Sequence, residues 1–83
     1  MANRSKPREI PQDHLNRIEQ IGKKIRSLRK SMGLSYEEFA FQNGIHRITY
    51  FNLEKGSNFN MSTLLKVLDA HEMTMEQFFK ELK

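Results

Sequence analysis

Arg47, Ile48, Phe51, Asn52 and Lys55 lie within one nine-residue segment that reads as a short helix. They offer a forked guanidinium, two apolar tips, a side-chain amide and an ammonium. A guanidinium can donate two parallel bonds to guanine O6 and N7, and an amide fits adenine N6 and N7 in the same way. Apolar tips can pack on thymine methyls. A helix that presents this mixture on one face suits insertion into a DNA major groove. The bland alternative is an ordinary helical hairpin in which Arg47 and Asn52 are solvated surface residues.

Other chemistry finds no constellation. His14, His46 and His71 are far apart and do not form a metal spacing such as H-E-x-x-H. His71 falls at the end of a helix, where packing or contact with helix-end carbonyls is its expected role. Gly22, Gly33, Gly44 and Gly56 are isolated, so they form no phosphate-cradling loop. Glu37 and Glu38 open a helix, where carboxylates match the dipole, and they do not make a catalytic dyad. The expectation is no enzyme, no metal, no cofactor and no small-molecule substrate.

The binding segment needs a support, and Leu34–Gly56 supplies the first part of it. Ser35 reads as a helix N-cap, with Glu38 at the capping-box position three residues on. Phe39 and Ala40 give that helix its apolar face. Gly44 sits where the chain must reverse, at Asn43-Gly44-Ile45, and it tolerates positive φ. A second helix follows, with Tyr50 and Leu53 on its inner face and Gly56 at its end. Two helices this short bury little by themselves, so further helices must cover them.

These are legible on both sides. Ile18, Ile21, Ile25, Leu28 and Met32 recur at spacings of 3, 4, 3 and 4, one continuous helical stripe. Asp13 is the expected N-cap of that helix and Gly33 its stop. Gly22 lies inside it, at a cost of about 1 kcal/mol relative to Ala, which implies close packing or a bend. Leu15 and Ile18 extend the stripe towards the N-terminus. Asn60 is expected to cap a fourth helix whose apolar face is Met61, Leu64, Leu65 and Leu68, broadened by Val67. Thr74 caps a fifth, with Gln77 at the capping-box position and Met75, Phe78, Phe79 and Leu82 as its stripe. Five helices, no strand pattern and no repeat predict an all-α bundle.

Size and charge agree. The 83 residues make one domain, small but able to fold without staples, and leave no room for a ligand-sensing domain. There is no Cys, so neither a disulfide framework nor a thiolate metal site, which suits a reducing cytoplasm. No apolar run reaches the ~18 residues of a membrane span, and the N-terminus carries no secretory h-region. The net charge of +4 is uneven: residues 1–30 carry +6 and the remainder −2. A basic half fits a polyanion partner, or equally a solvated face with a basic tail. Residues 1–12 contain Pro7 and Pro11 and lack periodicity, so they read as a flexible arm before a domain at 13–83. Arg4, Lys6 and Arg8 in that arm either reach a phosphate backbone or minor groove, or make no contact.

The stretch IGKKIRSLRKSMGLSYEEFAFQNGI, followed by LEKG and LLKVL, resembles the helix-turn-helix domain of the Cro and phage-repressor (Xre-type) family. The likeness runs from about Ile21 to Leu82. It rests on Ile21-Gly22, Ile25, Leu28 and Arg29, on Gly33-Leu34, Phe39-Ala40, Gly44-Ile45 and Glu54-x-Gly56, and on Leu64-Leu65 and Phe78. The resemblance implies a five-helix bundle of the phage-repressor type, with the motif proper at 36–55. Helix 36–42 would cross the DNA backbone and helix 46–55 would enter the major groove.

The resemblance also assigns roles to residues. Arg47, Ile48, Phe51 and Asn52 stand at base-reading positions. Tyr36, Thr49, Lys55 and Ser57 stand at backbone-contact positions. Arg29 and Glu54 stand where the family pairs helix 1 with helix 3. The implied function is sequence-specific binding of double-stranded DNA by a homodimeric, repressor-like transcriptional regulator. Candidate dimer surfaces are Phe79 with Leu82, and Leu15 with Ile18. Three positions depart from the pattern: Tyr36 replaces a usual Gln, Tyr50 replaces Val or Ile, and His46 occupies an N-cap site where Ser or Thr caps better. Ile48 and Phe51 also make the outer face greasier than usual, which keeps open a protein-interaction or antitoxin-like module on the same fold.

Overall fold

A computed structural model describes residues 10–57 and 59–82. Five helices follow in order: α1 (Gln12–Ser31), α2 (Tyr36–Gln42), α3 (Arg47–Lys55), α4 (Met61–Ala70) and α5 (Met75–Lys80). No strand occurs among the described residues. The basic arm expected over residues 1–12 lies, up to residue 9, outside the described residues, and Gln12 is already helical.

The short helices are set by their caps. Ser35 Oγ accepts from the Glu38 N–H at 3.1 Å, and the Glu38 carboxylate accepts from the Ser35 N–H at 2.8 Å. Thr74 and Gln77 repeat this reciprocal box at the start of α5. Asn60 Oδ1 caps α4 by accepting from the Thr63 N–H. Each cap satisfies backbone donors that a helix start leaves without partners.

Two expectations about helix starts need correction. Asp13 is not the N-cap of α1. Pro11 occupies that position with φ −55° and no side-chain cap, and its carbonyl accepts from the N–H groups of His14 and Leu15. Proline's fixed φ suits a helix start, so the helix begins earlier and Asp13 falls in the first turn, paired with Arg17. His46 is a better cap than its residue type suggests. Its Nδ1 accepts from the Ile48 N–H at 3.3 Å.

The core is built from α1, α2, α3 and α4, with Phe78 from α5. Ile25, Phe39, Ala40, Ile45, Tyr50, Leu53, Leu64, Val67, Leu68 and Phe78 form one buried cluster. Phe39 is central to it. Its ring lies 5.0 Å from Tyr50 and 5.2 Å from His71, the latter nearly parallel at 15°. The α4 face is narrower than expected. Leu64, Val67 and Leu68 are buried, whereas Met61 and Leu65 are exposed, because the buried three fall one helical step round from the other two. In α5 only Phe78 is buried, and Met75 and Phe79 remain on the surface.

The tightest contact joins α1 to α3. A Cβ placed on Gly22 would meet the backbone carbonyl oxygens of Leu53 and Glu54 at 2.6 Å. α1 runs through this point as one unbroken helix, so the glycine serves close approach rather than a bend. Gly56, with φ +85°, closes α3 and meets Glu19 of α1 in the same way.

Two outcomes follow for stability. Gly22→Ala improves helix propensity by about 1 kcal/mol, yet it overfills a site walled by backbone, at a cost of about 1–3 kcal/mol or more. Chemical denaturation is therefore expected to show a net loss; a gain would place α1 and α3 further apart than described. The second concerns His71. Burial lowers its pKa, and its Nε2 has no hydrogen-bond partner among the described residues. The unfolded imidazole, near 6.5, takes up its proton first. Stability should thus be complete above about pH 6.5 and fall as the pH drops towards the folded-state value. Urea titrations at about pH 7.5 and about pH 5.5 should give a larger difference for the parent than for His71→Gln, and equal differences would exclude His71 as the cause.

Candidate nucleic-acid interface

The outward side of α3 is defined by what its inward side buries. Tyr50 and Leu53 are fully enclosed, and Arg47, Ile48 and Thr49 are exposed in the first turn and a half. α3 is held in that orientation by a fork. Arg29 donates from Nε to Glu54 Oε2 at 2.9 Å and from its terminal nitrogen to Oε1 at 2.7 Å. The other terminal nitrogen donates to the Leu34 carbonyl at 3.0 Å, so one guanidinium ties α1, the α1–α2 turn and α3. The side chains are only 11 % and 7 % exposed, which sets this pair apart from a solvated surface pair.

Tyr50 packs beside this fork. Burial, and then the neighbouring Glu54 carboxylate, push its phenol pKa well up. The hydroxyl is thus a neutral O–H beside Glu54, and it has no hydrogen-bond partner among the described residues. This is the space that a ring demands where Val or Ile usually stands.

The exposed residues are not equally free. Ile48 is 48 % exposed and points away from the core. Arg47 lies 3.6 Å from the Glu37 carboxylate of α2, with both side chains more than half exposed. Exposed pairs of this kind contribute about 0–1 kcal/mol, so Arg47 is only loosely tethered. Asn52 is half-buried and lines a shallow cleft with Thr49, Phe59 and Asn60. Phe51 turns sideways: its ring sits 5.0 Å from that of Tyr36, and the Lys55 ammonium lies over it at 5.4 Å. Tyr36 itself packs against the core. Ser57 is exposed, but its N–H is used inside the protein, donating to the Asn52 carbonyl at 2.9 Å to close α3.

The structure therefore brings together two groups. Arg47, Ile48, Thr49 and Asn52 occupy the outer face of α3. Tyr36, Phe51 and Lys55 form an aromatic–basic edge that Arg26 of α1 also lines. Sequence reasoning missed the second grouping, and it placed Arg26 off the apolar stripe of α1 without giving it a part in the site. The four-residue step from Phe51 to Lys55 was a usable signal for the cation–ring contact. Nothing local announced that Tyr36 would meet Phe51. The histidines are not assembled: His14 is on α1, His46 caps α3 and His71 stacks on Phe39.

The fork generates a stability test. Glu54→Ala leaves a largely buried guanidinium without its counter-charge, and the expected loss by denaturation is up to the ~3–5 kcal/mol of a fully buried pair. The paired replacement Arg29→Met with Glu54→Leu removes both charges and should recover most of it. A loss under about 1 kcal/mol for the single change would mean that the pair behaves as a solvated one.

Comparison with known families agrees with this geometry. The family model described as helix-turn-helix matches residues 25–82, from the middle of α1 past the end of α5. No curated protein and no solved structure matches the chain. The match covers well over half of the chain and spans the α2–turn–α3 unit that the Arg29–Glu54 fork holds against α1, so the chain belongs to the helix-turn-helix family of DNA-binding domains.

Proposed function

We propose that this protein binds double-stranded DNA sequence-specifically and acts as a transcriptional regulator, repressing by occupancy. The observation that carries this is the division of α3: two large residues anchor it inward, and a polar, forked and apolar set faces out from a rigid mount. In this reading α3 enters the major groove and α2 crosses the backbone. Arg47, Ile48 and Asn52 meet base edges, with Phe51 contributing from the side where Tyr36 holds it. Tyr36, Thr49, Lys55 and the Ser57 hydroxyl meet phosphates. A homodimer would place two such helices about 34 Å apart on a pseudo-palindromic site. Met75 and Phe79, one helical turn apart and exposed on α5, are the favoured dimer face. No helix is long and apolar enough to cross a membrane, and a cytoplasmic setting is proposed with the DNA reading. Catalysis forms no part of it.

One observation favours a second reading. Phe41 of α2 is 87 % exposed, and with Ile48 it gives the motif two apolar anchors that a protein partner would cover. Salt separates the readings, because phosphate contacts make affinity fall log-linearly with salt and apolar contacts do not.

Selection from random duplexes should enrich a palindrome. On that site Arg47→Ala and Asn52→Ala should each cost about 1–3 kcal/mol and relax preference at one base position. If the double variant keeps the parent's affinity and sequence preference, α3 is not the reading helix.

A further inference from the structure

The outer flank of α1 carries Lys23, Arg26 and Lys30, with Ser27 between them, at steps of three and four residues that place them in one row. They line a single shallow concavity. Arg26 also lines the cleft formed by Tyr36, Phe51, Glu54 and Lys55. The row is thus continuous with the aromatic–basic edge of the interface.

Its charge is unspent. The other cations of α1 among the described residues are committed: Arg17 to Asp13, Lys24 to Glu81 and Arg29 to Glu54. Lys23, Arg26 and Lys30 make no ion pair among the described residues. Glu54, the one carboxylate lining either concavity among the described residues, is already engaged by Arg29. Three uncompensated cations held close together on a helix repel one another, and an external polyanion relieves that.

We propose that Lys23, Arg26 and Lys30 form a second row of DNA-backbone contacts. They would seat on phosphates that flank the recognition sequence on the side where Tyr36 meets the strand. The inference rests on the DNA-binding reading and extends the footprint beyond the motif to α1. The occupant is a phosphodiester backbone rather than an acidic protein surface, because the row runs into an edge whose Tyr36 and Lys55 already face phosphates in that reading. The dimensions fit: Lys23 to Lys30 spans about 10 Å of helix, and one strand of a duplex carries about three phosphates per 10 Å of its axis, spacings that long Lys and Arg side chains can bridge. The row contributes affinity and no sequence information, since phosphates are the same at every base.

The experiment compares the full chain with Lys23→Ala/Arg26→Ala/Lys30→Ala, on a selected duplex with flanks of full length and on one trimmed on the Tyr36 side. Each phosphate contact steepens the salt dependence by about 0.9 in log–log slope, so losing three makes the triple variant's slope shallower by about 2.7. Raising salt from about 50 to about 200 mM should therefore weaken the parent about 40-fold more than the variant. The variant should keep the parent's base preference, and trimming the flank should abolish the difference between them. A charge-preserving triple, Lys23→Arg/Arg26→Lys/Lys30→Arg, should retain the parent's slope, which guards against a folding defect in the alanine variant. If the parent binds duplex DNA but the alanine triple has the same slope, the α1 contact is wrong and the DNA reading stands. The same holds if the triple loses binding to polyglutamate while keeping its DNA slope, which would assign the row to an acidic protein. If the parent binds no duplex, both fall.

Discussion

The closeness of α1 and α3 at Gly22 governs the rest of the structure. Only a residue without a Cβ permits this approach, because any side chain at Gly22 would strike the carbonyls of Leu53 and Glu54. The contact lies in the last turn of α3, and the Arg29–Glu54 fork lies beside it. One constraint is steric and the other directional. Together they fix both the distance of α3 from its support and its rotation about its own axis. Rotation would matter most for a helix that reads bases, as proposed, since turning it by one residue would bring Tyr50 to the outer face in place of Thr49.

The interior accepts penalties to keep that arrangement. Tyr50 fills more of the core than an aliphatic residue would and packs at a tilt against Phe39, but its buried hydroxyl has no hydrogen-bond partner among the described residues. His71 extends the aromatic stack at the cost of an imidazole held neutral by burial. The fork is itself a buried ion pair, and such pairs add little net stability over apolar replacements. Its value here is registry: a forked guanidinium meets a carboxylate in one geometry, whereas apolar residues would tolerate several.

What was legible in the sequence was mostly local. The capping boxes at Ser35 and Thr74 are fixed by residues three apart, so a linear reading finds them. The α1 stripe over Ile21, Ile25 and Leu28 and the inward pair Tyr50 and Leu53 were legible for the same reason, but Met32, expected to continue the stripe, caps the end of α1 and is exposed. The Arg29–Glu54 pairing spans 25 residues and was reached only through the family resemblance. Other features had no local sign. α4 ends in a left-handed residue, as α2 does at Gly44, but there the residue is Glu72 at φ +55°, where no glycine marks the turn. The outward position of Met61 and Leu65 depends on how α4 rolls against α3 and α5, which periodicity does not set. The sideways packing of Phe51 depends on Tyr36, itself a departure from the family's usual Gln.

That last pair changes how the outer side of α3, the proposed recognition surface, is built. A residue that reads bases needs a defined position, and a free phenylalanine on an exposed helix pays rotamer entropy when it is ordered. Here Tyr36 and Lys55 hold the Phe51 ring from two sides before any partner arrives. Arg47 is the opposite case: its one ion pair among the described residues is a solvated contact with Glu37, weak enough to break at little cost. The surface therefore combines a preset apolar edge with a mobile forked donor. Such a division suits a ligand whose overall shape is constant and whose local pattern of acceptors varies, since the preset edge sets the docking angle while the donor adapts to the pattern it meets.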